Sequence, residues 1–194
     1  MFEARIHGRG GQGVVTAAEL LSLAAHRDGR HAQAFPSFGS ERMGAPVTAF
    51  CRLDDRPIRR REPVAEPDVV VVQDATLLHH VDVFGGLRVD GCVLVNSSRS
   101  VSELGLDELQ QRIGPGRMIT VPASEIARAR LGRPIPNAAL LGALVALTGL
   151  VSAESLEAAI GERFPGETGH ANALAARDTH LYAAARLAPE QVAL

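Results

Sequence analysis

The sequence predicts an open, mostly parallel α/β sheet with helices on both faces, a β-hairpin insertion and a helical C-terminal tail. Three observations predict it. Two apolar runs, Asp68-Val-Val-Val-Val-Gln-Asp74 and Gly91-Cys-Val-Leu-Val-Asn96, have the composition of strands covered on both faces, the mark of a parallel sheet. A glycine-rich turn, Gly8-Arg-Gly-Gly-Gln-Gly13, separates a run of strand formers from a helical pattern. From residue 123 onward, helical segments follow one another with no strand pattern between them.

The elements follow in order. Glu3 to His7 alternates and is rich in strand formers. From Val14 to about Arg27, Thr16, Glu19, Ser22 and His26 share one helical face, while Val14, Val15, Leu20, Leu21 and Ala24 cover the rest. So wide an apolar surface implies a helix pressed onto the sheet. His31 to Phe35 reads as a short strand, Pro36 to Gly44 as a loop, and Val47 to Leu53 as a clear strand. Asp54-Asp-Arg-Pro57 is turn chemistry, so Ile58 to Arg61 is expected to return as the second arm of a hairpin. Thr76 to Phe84 and Leu106 to Ile113 read as helices, and Arg117 to Val121 as a further strand. Helices are expected at Ala123 to Leu131, Pro136 to Leu150, Ala153 to Phe164 and Gly169 to Leu187, with Pro136 and Ser152-x-x-Ser155 as openings.

A chain of 194 residues with no linker is expected to form one domain over 1–194. A formal net charge of -2 with 22% charged residues argues against a nucleic-acid or membrane-surface partner. The longest apolar run, Ala138 to Val151, is shorter than the ~20 residues a bilayer span needs, and the first residues lack signal-peptide order, so a cytoplasmic protein is expected. Every basic residue other than histidine is arginine, which excludes a lysine nucleophile or a Walker-type phosphate lysine. Two cysteines, Cys51 and Cys92, cannot hold a four-cysteine iron–sulfur cluster. The histidines show no ligand spacing. His79 and His80, being adjacent, point ~100° apart on a helix and cannot clasp one ion.

The glycine turn carries the strongest chemical signal. Gly8-x-Gly10-x-x-Gly13 after a strand and before a helix suits a Rossmann-like sheet. Its glycines let backbone approach a ligand, and the helix start offers free N–H groups and a positive dipole end to phosphate or carboxylate. A nicotinamide site would also want an acid ending the second strand. Arg30-His-Ala-Gln-Ala-Phe35 supplies none. A nicotinamide or flavin dinucleotide is the poorer fit, beside another phosphate-bearing ligand, a partner chain or a turn without ligand. Pro36-Ser-Phe-Gly-Ser-Glu-Arg-Met-Gly44 should lie at the same carboxyl edge, with Glu41 and Arg42 pairing charges. Asp74 and Asn96 end the buried strands, where capping a helix is the usual task. Arg59-Arg60-Arg61 reads as a solvated charge run.

Three blocks together, Gly8-Arg-Gly-Gly-Gln-Gly-Val-Val-Thr-Ala-Ala-Glu19, Pro36-Ser-Phe-Gly-Ser-Glu-Arg-Met-Gly-Ala-Pro-Val47 and Leu131-Gly-Arg-Pro-Ile-Pro-Asn-Ala-Ala-Leu-Leu-Gly-Ala143, resemble the gamma subunit of the 2-oxoacid:acceptor oxidoreductases. The resemblance spans essentially the whole chain and departs at Met43. It implies a cytoplasmic complex that oxidatively decarboxylates pyruvate or a related 2-oxo acid to acyl-coenzyme A and reduces ferredoxin or another acceptor. Thiamine diphosphate, Mg and 4Fe-4S clusters are then expected in alpha, beta and delta-type partner subunits, with no catalytic residue and no metal here. Coenzyme A is expected to be contacted by Gly8, Arg9, Gly10, Gly11, Gln12, Gly13 and Ser37. Phe38, Ser40, Glu41 and Arg42 are expected to face a partner subunit. A free-standing nucleotide-binding module and a purely structural subunit are the alternatives.

Overall fold

The computed structural model describes residues 1–37 and 43–191. Its six strands are β1 (Phe2–Arg9), β2 (His31–Pro36), β3 (Pro46–Asp54), β4 (Val69–Val72), β5 (Cys92–Asn96) and β6 (Met118–Val121). They form one sheet in the order β2-β3-β1-β4-β5-β6. β1–β4, β4–β5 and β5–β6 are parallel, while β3 runs antiparallel to both β1 and β2. The helices are α1 (Val14–Arg27), α2 (Asp107–Ile113), α3 (Ala123–Leu131), α4 (Asn137–Thr148), α5 (Ala153–Arg163) and α6 (Glu167–Gln191).

The mostly parallel sheet agrees with the sequence reading, but its hairpin does not. β3 pairs with β2, not with Ile58–Arg61, which form no strand. The reason is geometric: β3 already has β1 on one side and β2 on the other, so no edge is left for a third partner. The helix expected from Thr76 to Phe84 is a single 3₁₀ stretch, Ala75–His79, opened by Asp74, whose side chain accepts the Thr76 N–H.

One sheet face carries the main core. Ala4, Ile6, Ala49, Cys51, Leu53, Val69, Val71 and Leu94 meet α1, α3, α4, α5 and α6 there. α4 is buried from Asn137 through Val145, which places this apolar helix inside the domain. It can approach α6 closely because Gly142 has no side chain; a Cβ there would strike the Ala176 carbonyl. α5 opens as its sequence indicates, the Ser152 hydroxyl accepting the Ser155 N–H at 3.1 Å.

The opposite face is divided. Under β4, β5 and β6 it is apolar: Val70, Val72, Val93, Val95 and Met118 pack with Leu77, Val83 and Ile113. Under β1 and β3 it carries buried charged and polar side chains beside Phe50. Arg52, 2% exposed, donates to Glu3 Oε1 at 2.6 Å and to the Glu62 carbonyl at 2.6 Å. Arg5 donates to the Val64, Val83 and Gly85 carbonyls at 3.4, 3.1 and 2.5 Å. Beside them His7 is 6% exposed, its Nδ1 3.3 Å from the Thr48 hydroxyl. Burial, reinforced by the Arg5 charge and opposed by Asp82, pushes its pKa from 6.5 down to about 4.

Candidate functional site

The glycine turn joins the end of β1 to the start of α1, beside the end of β4. That is where chain connections leave toward opposite sides of the sheet, the usual position of ligands in open α/β folds. Two glycines are required by the backbone itself: Gly11 has φ 94° and Gly13 φ 70°. Gly8 answers to packing, since a Cβ there would sit 2.6 Å from Val14 Cγ2. At Gly13 a Cβ would run into the Asn137 amide at the start of α4, so the first and third sequence blocks meet there.

The turn is also tied to the segment before β3. Gly10 N–H donates to the Ala45 carbonyl at 2.9 Å, and Gly44 N–H to the Gly10 carbonyl at 3.1 Å. A polar network fixes its other side. Gln12 Oε1 accepts the Arg9 N–H at 2.8 Å, and its Nε2 donates to Asp74 Oδ2 at 2.9 Å. The Arg9 guanidinium lies 3.2 Å from Asp74 Oδ2 and donates to the Gly44 carbonyl at 3.1 Å and the Thr76 hydroxyl at 2.8 Å. Burial alone would raise the Asp74 carboxyl. Hydrogen bonds from Thr76 and Gln12, with the Arg9 charge, outweigh it and hold the group below the usual carboxylate range. Arg9 is therefore a paired cation.

A cleft of about 340 Å³ lies over the start of α1, lined by Arg9, Gly10, Gly11, Gly13, Val14 and Thr16, with Val47 from β3. The first intrahelical bond runs from Ala17 N–H to the Gly13 carbonyl. The N–H groups of Val14, Val15 and Thr16 consequently have no helical acceptor. Such a terminus can receive a phosphate or carboxylate without any charged side chain. Below it Gln73 is 1% exposed, and neither end of its amide has a partner among the described residues.

Arg9, Gly10, Gly11 and Gly13 line the cleft, while Gly8 packs on Val14 and Gln12 bonds Arg9 and Asp74. Ser37 does not join it: its N–H donates to the Thr48 carbonyl at 2.8 Å, on the far side of β3 from β1. Phe38, Ser40, Glu41 and Arg42 lie outside the described residues. Arg59, Arg60 and Arg61 follow the end of β3, at the sheet edge opposite the glycine turn. Asn96 caps α3 by accepting the Ser124 N–H at 3.1 Å. Sequence reasoning placed Asp74 at the ligand edge with helix capping as its usual task. The Asp74-x-Thr76 turn was its visible signal, and the ion pair with Arg9 arises from strand order. Among the described residues, no three His, Cys, Asp or Glu side chains gather closely enough to hold a metal ion. No helix among them is long and apolar enough to cross a membrane.

Known proteins match this arrangement along nearly its full length. The family model of pyruvate ferredoxin/flavodoxin oxidoreductases covers residues 3–182. The pyruvate/ketoisovalerate oxidoreductases common subunit gamma of Pyrococcus abyssi is 53% identical over 178 residues, spanning 92% of this chain and 95% of that one. The crystal structure of pyruvate oxidoreductase subunit PORC from Thermotoga maritima superposes with a TM-score of 0.78 at 39% identity, covering 93% of this chain and 95% of the other. The same fold occurs in 2-oxoglutarate:ferredoxin oxidoreductase from Magnetococcus marinus, solved with 2-oxoglutarate, coenzyme A and succinyl-CoA bound. There the TM-score is 0.69 at 18% identity, with 95% of this chain matching 31% of that one. With its glycine turn, its β1–β4 crevice and its third block folded against Gly13, the chain belongs to the pyruvate ferredoxin/flavodoxin oxidoreductase family, as a gamma-type subunit.

Proposed function

We propose that this chain, acting as a single cytoplasmic domain, completes a 2-oxo acid oxidoreductase complex and supplies part of its coenzyme A site. The observation that carries the proposal is the cleft over α1, with free N–H groups of Val14, Val15 and Thr16 beside side-chain-free Gly10 and Gly11. These groups fit a phosphate of coenzyme A, whose thiol takes up the acyl group in such reactions. Arg9, by neutralising Asp74 at 3.2 Å, keeps a carboxylate from repelling that phosphate. We assign thiamine diphosphate, Mg and 4Fe-4S clusters to alpha, beta and delta-type partner subunits. Cys51 is buried and only Cys92 accompanies it, too few for a four-cysteine cluster. Ferredoxin or another carrier is the assigned electron acceptor, and Glu41 and Arg42 are assigned to contact with a partner subunit.

Arg9→Ala in the assembled complex tests the reading. It leaves Asp74 uncompensated at the cleft, so the coenzyme A requirement should rise about tenfold, or about 1.4 kcal/mol. Cluster reduction by the 2-oxo acid without coenzyme A should change little, because that step precedes acyl transfer. Lost assembly with unchanged coenzyme A affinity in the surviving complex would reject the site and leave a purely structural role.

A further inference from the structure

The segment that leaves β3 concentrates positive charge. Arg56, Arg59, Arg60 and Arg61 stand close together in the chain and are all exposed. None of their side chains makes an ion pair among the described residues. The acids nearby are already engaged. Asp54 meets the Met1 amino group at 3.2 Å, Asp55 meets Arg30 at 3.3 Å, and Asp68 meets Arg88 at 3.4 Å. Glu62, which directly follows the run, accepts the Arg61 N–H at 3.1 Å. The run is also held in place. Arg52 binds the Glu62 carbonyl and Arg5 the Val64 carbonyl, so its far end is fastened to the sheet.

A hollow of about 390 Å³ opens beside the run, with Arg52, Arg60 and Arg88 in its wall alongside Glu3, Glu62 and Glu66. Glu3 is taken by Arg52 at 2.6 Å, and Glu66 lies 3.9 Å from Arg88. Arg52 keeps one donor in reserve. Its Nε and Nη2 are bonded, while its Nη1 is buried with no acceptor among the described residues. Buried donors are ordinarily paired, and a carboxylate is the strongest partner for a guanidinium. We propose that this edge of the sheet docks a carboxylate-rich segment of another subunit. One Asp or Glu side chain enters the hollow toward Arg52 and Arg60, and its neighbours lie along Arg56, Arg59 and Arg61. The proposal rests on the complex described under the proposed function, and its surface lies at the opposite sheet edge from the glycine turn. An acidic protein segment is favoured over a nucleic acid because the chain has a net charge of -2 and residues 51–68 include no aromatic ring on which a base could stack.

The absence of lysine makes a direct test available. Arg60→Lys keeps the charge and installs the only side-chain amine of the chain. In the assembled complex a water-soluble carbodiimide should join that amine to a carboxylate of another subunit as an amide, the carbodiimide taking up the water released. Peptide mass spectrometry should place the link in an acidic segment. Links confined to Glu62 or Glu66 of the same chain would overturn the proposal. Arg60→Glu should weaken retention of the chain in the complex about tenfold, and rising salt should weaken the wild type in the same direction. Arg128→Glu, at an exposed arginine of α3, should stay within about twofold of wild type. Equal losses in the two variants, or retention that a nuclease abolishes, would also overturn the proposal. A chain that purifies without other subunits would sink the complex and this surface together. Intact assembly with only internal links would remove this surface alone.

Discussion

The second face of the sheet holds two solutions to one problem. Along a single row the register runs Phe35, Phe50, Arg5, Val70, Val93, Met118. On the β4–β5 side the valines meet other apolar side chains, which need only fit. On the β1–β3 side the cover is irregular chain around Val64, Val83 and Gly85, whose carbonyls need donors if they are to be buried. Arg5 and Arg52 provide them, and Glu3 balances Arg52. A sheet face can therefore be closed by a helix with plain side chains, or by loops with arginines anchoring their backbone. The second arrangement gives up packing freedom for a few interactions that must all be present.

That contrast can be broken. Glu3→Ala leaves the buried Arg52 charge without its carboxylate and should cost about 3–5 kcal/mol in urea denaturation of the purified chain. A cost under about 1 kcal/mol would show that this half is not held by its ion pair.

The next effect is read with pH. His7 titrates near 6.5 in the unfolded chain and at about 4 when folded. As pH falls from 6.5 toward 4 the unfolded state takes up the proton first, so stability is present above 6.5 and drains away across that window. The loss should reach about 3 kcal/mol. His7→Gln should flatten this part of the pH–stability curve, and an unchanged acid limb would exclude His7 as its source.

The smallest effect belongs to the apolar half. Val93→Ala should cost about 2 kcal/mol through lost burial and a small cavity, with no dependence on pH between 4 and 7. A Val93→Ala cost above that of Glu3→Ala would invert the comparison.

Much of this architecture is written locally. The valine run of β4 announces a strand covered on both sides, and α3 and the start of α1 fall where periodicity puts them. Strand order is not local. Nothing in Pro46–Asp54 says that it will lie between β1 and β2, because alternation reports which face is buried and not which neighbour is chosen. The site divides the same way. Gly11 and Gly13 are legible because their φ values suit glycine. The Arg9–Asp74 pair and the Asn137 contact with Gly13 join residues distant in sequence, so only the folded chain reveals them.

The place of β1 in the sheet has a consequence for how the chain is made. β1, which precedes the other described strands in the chain, is a central one, with β3 on one edge and β4 on the other. Neither neighbour exists when Phe2–Arg9 is completed, and the two come from opposite sides of a connection rich in arginine. A nascent chain ending between Asp54 and Val69 can pair β1 with β3 but must leave its other edge open, with the N–H and C=O groups meant for β4 exposed. Such an edge recruits any strand at hand. Vulnerability to misassembly should thus peak over a short interval of synthesis and close once the four valines of β4 have been added.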